Sequence, residues 1–358
     1  MKKITRNLTI LIAAIALTSC GGNNAGQVSS TQPKADEPYR KDEIIALRQG
    51  TDVGFKEDVI GGSEITQECD QKGAITRVTY GTKPYAMKPE QGDYNNYPVT
   101  KGMNVYTPYG YDANGEEKYD ILILCHGSGE NEDYWFAQGD YDPTDSISSY
   151  LKGYGTHQVL DNMIKQNLSK KVIVVTPSLY TKVEGFDTFQ TSEKFALELE
   201  NDILPYLITH YKTYAEGTNE EQMIAARDHF AYAGLSYGGG VSYSAIWAQS
   251  LKYFSYIGSL SSALSDTTYD LVKNAIVANK DTYKIKYWYN TMGLTDGNMK
   301  KSVDGYLKLA GEAPEGYFKF GSDLSIGCNA DYVLINKTGH SYACWLTCLY
   351  NMLLVFFK

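Results

Sequence analysis

The chain has 358 residues, enough for one large domain or two small ones, and 43% hydrophobic with 21% charged residues is an ordinary globular balance. A net charge of −9 argues against a nucleic-acid partner, because a polyanion repels a polyanion. Only five histidines and no Cys-x-x-Cys pair are present, so no structural zinc or other metal site is expected. The 31 tyrosines point the other way, toward ligands with both an apolar face and hydroxyls, such as sugars and aryl groups.

Taken from the N-terminus, residues 1–19 have the layout of a secretory signal. Lys2, Lys3 and Arg6 precede an apolar core, "LTILIAAIAL", that is too short to span a bilayer. "LTSC", Leu17 to Cys20, resembles a bacterial lipobox, which makes Cys20 the expected lipidation site and the cell envelope the expected location, at the outer membrane or cell surface. Residues 20–40 are polar and aperiodic and read as a flexible tether. Residues 41–75 carry a short helical pattern and a loop that the pattern does not place; they are treated as an N-terminal extension to a domain at 76–358.

The domain alternates between strand-like and helix-like runs. Continuous apolar runs at 121–125, 171–176, 229–234, 253–260, 285–289 and 332–336 are the pattern of strands covered on both faces. Between them lie helical stretches. In "SEKFALELENDILPYLITHYK", Phe195, Leu199, Ile203 and Leu207 recur every four residues and Pro205 is expected to kink the helix. Val241, Ala245 and Ala248 mark one face of another helix. The final run, "SYACWLTCLYNMLLVFF", is apolar all round and predicts a helix packed on a sheet rather than a membrane span. Strand–helix alternation of this kind means an α/β fold with a mostly parallel central sheet and helices on both faces. Lipidation of Cys20 leaves five cysteines, an odd number. Cys125 reads as a buried apolar group. Cys344 and Cys348, four apart on a helix, are badly placed for a disulfide.

One motif carries chemistry. Gly234-Leu235-Ser236-Tyr237-Gly238 is G-x-S-x-G between a strand and a helix, the context a nucleophile elbow requires. Of the five histidines, His229 begins the strand that ends at Ser236, so about seven residues of extended chain, roughly 23 Å, separate them. His157 and His210 fall in helices, and His126 opens a loop, "HGSGE", that suits another role. His340, after the last strand, is the expected base, because loops following parallel strands gather at one sheet edge. The acid partner must lie between Ser236 and His340 in the order Ser, acid, His. Asp266 and Asp296 both follow strands; Asp296, in "GLTDG", is preferred. Two backbone N–H groups are expected to form an oxyanion hole, Tyr237 after the nucleophile and Ser128 in the "HGSGE" loop.

From about residue 76 onward the chain resembles the bacterial esterase family that includes feruloyl esterases, acetyl xylan esterases and, more distantly, enterochelin esterases and mycolyltransferases. The stretches that carry the resemblance are, in order, "NVYTPYGYD", "ILILCHGSGENEDYWF", "VLDNMI", "VIVVTPS", "ELENDILPYL", "RDHFAYAGLSYGGG", "GLTDG" and "GHSYACW". The resemblance implies an α/β-hydrolase fold, no cofactor, a Ser236–His340–Asp296 triad, and esters of plant cell-wall polysaccharide such as feruloylated xylan as substrate. Relatives often carry methionine where this chain has Tyr237 and tryptophan where it has Tyr342. With the loops gathered at one edge, Tyr134, Trp135, Tyr342 and Trp345 are expected to bind a planar acyl group. Other readings stay open on sequence: an acetyl xylan esterase or other carbohydrate acyl esterase, an acyltransferase, a peptidase of the prolyl-oligopeptidase type, and a non-catalytic oligosaccharide-binding lipoprotein.

Overall fold

A computed structural model describes residues 39–136 and 155–358. The expected signal at 1–19, the expected lipidation site Cys20 and the expected tether up to residue 38 lie outside the described residues. Eight strands form one sheet: β1 (Ala74–Thr82), β2 (Val99–Thr107), β3 (Asp120–Cys125), β4 (Val172–Pro177), then, after a small separate hairpin of β5 (Tyr180–Thr181) and β6 (Phe189–Gln190), β7 (Phe230–Leu235), β8 (Tyr256–Leu260), β9 (Tyr287–Gly293) and β10 (Ala330–Ile335). The spatial order is β1-β2-β4-β3-β7-β8-β9-β10. β2 is antiparallel to both its neighbours, and every other pairing in the sheet is parallel. This is the α/β-hydrolase arrangement.

All six strands expected from apolar runs form. In β3, β7 and β10 every residue is buried, and successive side chains serve opposite faces. Ile121, Ile123 and Cys125 of β3 join one core cluster while Leu122 and Leu124 join the other; Tyr232 and Ala233 of β7 divide in the same way. The run at 253–260 is strand only from Tyr256; Tyr253 and Phe254 are buried in the turn before it. β1 and β2 carried no continuous apolar run. β1 lies at the sheet edge with a largely solvated burial pattern, which removes the signal that marks interior strands.

The helices are α1 (Lys41–Leu47), α2 (Thr156–Lys165), α3 (Phe195–Glu198), α4 (Leu204–His210), α5 (Glu220–Ala225), α6 (Tyr237–Val241), α7 (Asp266–Asn279), α8 (Met299–Glu312) and α9 (Tyr342–Val355). The stretch expected to kink at Pro205 is α3 and α4 joined by a wide π turn, Leu199–Ile203. Proline offers no N–H and its ring crowds the carbonyl four residues back, so an extra residue in the turn relieves both problems. Phe195, Leu199, Ile203 and Leu207 are all fully buried in one cluster. α9 contributes Cys344, Leu349, Met352 and Val355 to the cluster on the other sheet face. No helix among the described residues is long and apolar enough to cross a membrane.

Residues 41–75 pack on the hydrolase core. Ile44 of α1 enters one core cluster, and Phe55, Ile60 and Ile65 enter the other. Arg48 donates through Nε to Asp331 Oδ1 at 3.0 Å and through Nη2 to Tyr332 O at 3.0 Å. Burial pushes the Asp331 carboxyl up to about 6 against the opposing pull of Arg48.

Candidate active site

Four loops at the carboxyl ends of β3, β7, β9 and β10 carry the residues singled out in the sequence, the place where parallel α/β sheets bind ligands. Ser236 sits between β7 and α6 with φ 51° and ψ −111°, a backbone conformation rare for a residue with a side chain. The glycines around it are required by close approach. A Cβ on Gly234 would lie 2.4 Å from the Gly238 carbonyl carbon, one on Gly238 2.6 Å from His126 O, and one on Gly239 2.7 Å from Ser262 Cβ. The turn is therefore pressed against the His126 loop and the end of β8, and Ser236 is held in its strained geometry from several sides.

His340 Nε2 lies 2.9 Å from Ser236 Oγ, and His340 Nδ1 lies 2.7 Å from Asp296 Oδ2. The Asp296 side chain is 2% exposed, and its other oxygen, Oδ1, accepts the Asn298 N–H at 2.9 Å. Both carboxylate oxygens are thus engaged, which fixes the direction from which the imidazole is held. Asp266, the other acid considered, is the first residue of α7, whose cap at Ser265 is closed by Thr268. His229 lies at the far end of β7, where Nδ1 pairs with Asp120 at 2.7 Å. His157 is in α2, and His210 ends α4 with Nδ1 2.7 Å from Tyr206 O.

The loop after β3 is bolted down by four hydrogen bonds. His126 O accepts from Gly238 N at 3.2 Å, and His126 Nε2 accepts from Leu179 N at 2.9 Å. Gly127 N donates to Glu130 Oε2 at 2.6 Å, and Gly129 N donates to Tyr180 OH at 2.8 Å. An Nε2 that accepts leaves the proton on Nδ1, which faces Gly127 O at 2.7 Å, so His126 is neutral; burial pushes its pKa down to about 4. The N–H groups on either side of Ser128 are spoken for, while that of Ser128 itself donates to no group among the described residues. The same holds for Tyr237 N–H, whose neighbour Gly238 N is engaged. Gly127 comes so close to the nucleophile that a Cβ on it would lie 3.3 Å from Ser236 Cβ. Among the described residues two unengaged N–H donors thus stand next in sequence to groups at the serine, Tyr237 after Ser236 itself and Ser128 after Gly127, and these are the donors an oxyanion hole would draw on.

The four rings expected to hold an acyl group are placed differently. Trp135 and Tyr342 are fully buried, and Tyr134 and Trp345 nearly so. They pack on one another edge to face, and Tyr342 OH pairs with Thr156. Trp135 Nε1 donates to Cys125 O at 3.1 Å, and Trp345 Nε1 donates to Ser261 Oγ at 2.9 Å. These rings are the floor of the site rather than its wall, because each carries the apolar area that packing α9 against the β3 loop requires. The rings that stay partly open are Tyr180 and Tyr237, near parallel with centroids 6.2 Å apart. Tyr180 was not singled out in the sequence. Its signal, a tyrosine just past a buried strand end, is shared by many tyrosines in this chain.

Beside Ser236 opens a cleft of about 440 Å³, lined by Ser261, Ser262, Asn298, Lys301, Asp296 and His340. Its lining is mostly hydroxyl, amide and ammonium. Among the described residues no cluster of histidine, cysteine and carboxylate groups could hold a metal ion. All five cysteines of the described residues are free and buried; Cys344 Sγ and Cys348 Sγ are 3.9 Å apart and unbonded.

No family model matches the chain. Among curated proteins it is 33% identical over 193 residues to endo-1,4-beta-xylanase Y of Acetivibrio thermocellus, covering 54% of this chain and 14% of that protein. It is 29% identical over 262 residues to an endo-1,4-beta-xylanase/feruloyl esterase of Xylanibacter ruminicola, covering 71% of this chain and 29% of that protein. The chain therefore spans less than a third of the length of either relative. Among solved structures, the feruloyl esterase module from Clostridium thermocellum complexed with sinapinate superposes with a TM-score of 0.65 at 23% identity, over 87% of this chain and 97% of that one. A ferulic acid esterase from Anaeromyces mucronatus in complex with ferulic acid gives a TM-score of 0.58 at 17% identity, over 85% and 98%. The chain shares the α/β-hydrolase fold of these enzymes across nearly their whole length.

Proposed function

We propose that this chain is a serine carboxylic-ester hydrolase that removes hydroxycinnamoyl groups from xylan-type polysaccharide. The observation that carries the reading is the relay Ser236–His340–Asp296 with two unengaged N–H groups beside the serine. The names of the similar proteins, feruloyl esterases and xylanases, support the substrate class.

The chemistry follows from the geometry. Ser236 Oγ attacks the ester carbonyl carbon while His340 Nε2 takes the hydroxyl proton, and Asp296 steadies the imidazolium. The carbonyl oxygen becomes an oxyanion, held by Ser128 and Tyr237 N–H. Collapse breaks the bond to the sugar oxygen, which leaves with the proton from His340. Water then attacks the acyl-serine by the same route in reverse, giving the free carboxylic acid and regenerating Ser236. The half-exposed rings of Tyr180 and Tyr237 offer aromatic surface for an aryl acyl group, and the polar cleft at Ser262, Asn298 and Lys301 suits the sugar.

The burial of Tyr134, Trp135, Tyr342 and Trp345 favours a second reading, an acetyl esterase with a small acyl pocket. Comparing kcat/KM for methyl ferulate and for an acetyl ester separates the two. Preference for acetate, with no ferulate released from feruloylated arabinoxylan, rejects the hydroxycinnamoyl reading and leaves the serine mechanism standing. We also propose that Cys20 is lipidated and tethers the domain at 76–358 to the cell envelope through residues 20–40. The support is the lipobox pattern; Cys20→Ser is expected to release the protein from membranes with catalysis unchanged, and retention on the membrane rejects the anchor.

A further inference from the structure

We propose that Glu130 is a positioning residue that ties down Gly127 N–H and thereby presents Ser128 N–H, one residue on, to the oxyanion; this rests on the esterase reading above. From Gly127 to Gly129 the chain offers three successive amides in a loop whose first residue lies against Ser236. Glu130 reaches back across the turn, made possible by Gly129 at φ 80°, and takes the first amide at 2.6 Å; Tyr180 takes the third at 2.8 Å. Without Glu130 the Gly127 amide loses its acceptor, and this stretch is left to two holds, Gly238 N–H on His126 O at 3.2 Å and His126 Nδ1–H on Gly127 O at 2.7 Å. With one of its three holds gone, the Gly127–Ser128 peptide is fixed less firmly, and the Ser128 N–H with it.

The same carboxyl faces the reacting groups. Burial raises it to about 7, while the Gly127 N–H, the charge of His340 and Tyr134 pull it down. The other carboxylates of this loop, Glu132 and Asp133, are engaged by Arg77, and His126 is neutral.

Two variants separate the hydrogen bond to Gly127 from the carboxyl charge. In Glu130→Gln the amide oxygen can still accept from Gly127, so kcat is expected within about threefold of wild type. In Glu130→Ala kcat is expected to fall by about 30-fold with KM within twofold, below the full loss of an oxyanion donor because the amide is misplaced and not removed. Affinity for phenylboronic acid, whose tetrahedral serine adduct mimics the oxyanion, is expected to fall in parallel. Hydrogen exchange at the Gly127 amide is expected to quicken in Glu130→Ala and not in Glu130→Gln, a readout that needs no turnover. Unchanged Gly127 exchange, or a Glu130→Ala enzyme within threefold of wild type in kcat, overturns the inference. A wild-type protein that cleaves no ester and takes no fluorophosphonate label at Ser236 overturns the esterase reading instead, and the exchange result still decides the brace.

Discussion

Trp345 stands edge-on against His340, with ring centroids 5.1 Å apart and planes at 89°, and its indole N–H donates to Ser261 Oγ at 2.9 Å. Ser261 itself has φ 48° and follows the strand next to the nucleophile's. The imidazole is thus held from below by a ring that is in turn pinned to a strained serine. Trp345→Phe keeps a ring but removes the donor, leaving a buried hydroxyl short of a partner at about 1–3 kcal/mol. The expected result is a kcat lowered roughly 5- to 30-fold, for about 1–2 kcal/mol lost from the transition state, with KM nearly unchanged. A rise in KM with kcat intact would return this tryptophan to the acyl pocket. Steady-state kinetics on methyl ferulate decides.

The relay makes a second expectation. Ser236→Ala is expected to lower kcat by about 10⁴-fold or more, since nucleophile and base act as one unit. Asp296→Asn keeps the shape but offers an N–H where His340 Nδ1 needs an acceptor; a loss on the order of 10⁴-fold is expected, as in other triads. Circular dichroism and melting on the same preparations show whether the fold survives. A variant that keeps a tenth of the wild-type rate removes that residue from the mechanism.

His126 gives a stability prediction with a definite sign. Its pKa falls from the ordinary 6.5 to about 4 on folding, so the unfolded chain takes up a proton first as pH drops. Its contribution is present above about 6.5 and is lost between there and about 4. Other groups titrate in that window, so the comparison is with His126→Gln, which can still accept from Leu179 N–H. The stability of wild type relative to this variant is expected to rise from pH 4 to pH 6.5 and to level off above. A difference that does not vary with pH, measured by urea unfolding, would falsify the neutral, buried assignment.

Much of this site was legible because it is written in backbone constraints. Glycines at 234, 238 and 239 are demanded by contacts of 2.4–2.7 Å, and such positions survive as letters in the sequence. The interior strands were legible as unbroken apolar runs, whereas β1 at the solvated edge was not. The aromatic residues were misplaced for a plain reason. Sequence locates a loop at the sheet edge, but whether a ring in it points up to solvent or down onto α9 depends on packing volume between elements far apart in the chain. Tyr134 and Tyr342 share such a volume although they are on either side of the domain's sequence. Residues 41–75 were obscure because they bury single side chains, Ile44, Phe55, Ile60 and Ile65, with no period to reveal them.

That N-terminal segment supplies the last prediction. Arg48 binds Asp331, whose side chain is 3% exposed, and also the Tyr332 carbonyl. Removing the guanidinium leaves a carboxyl inside the protein without its counter-charge. Arg48→Ala is expected to cost about 3 kcal/mol near neutral pH, in the range for breaking a buried pair. The Asp331 carboxyl titrates at about 6 on folding, above its ordinary 3.8, so its burial weighs against the fold as pH rises through that window. In the variant, protonation restores a neutral side chain, and the penalty is expected to shrink from pH 8 to pH 5. Arg48→Ala combined with Asp331→Asn is expected to be more stable at pH 8 than Arg48→Ala alone, since it buries no charge. Equal stability of the two at pH 8 would mean that water reaches Asp331 once Arg48 is gone, and that the segment is held by its apolar side chains rather than by the ion pair.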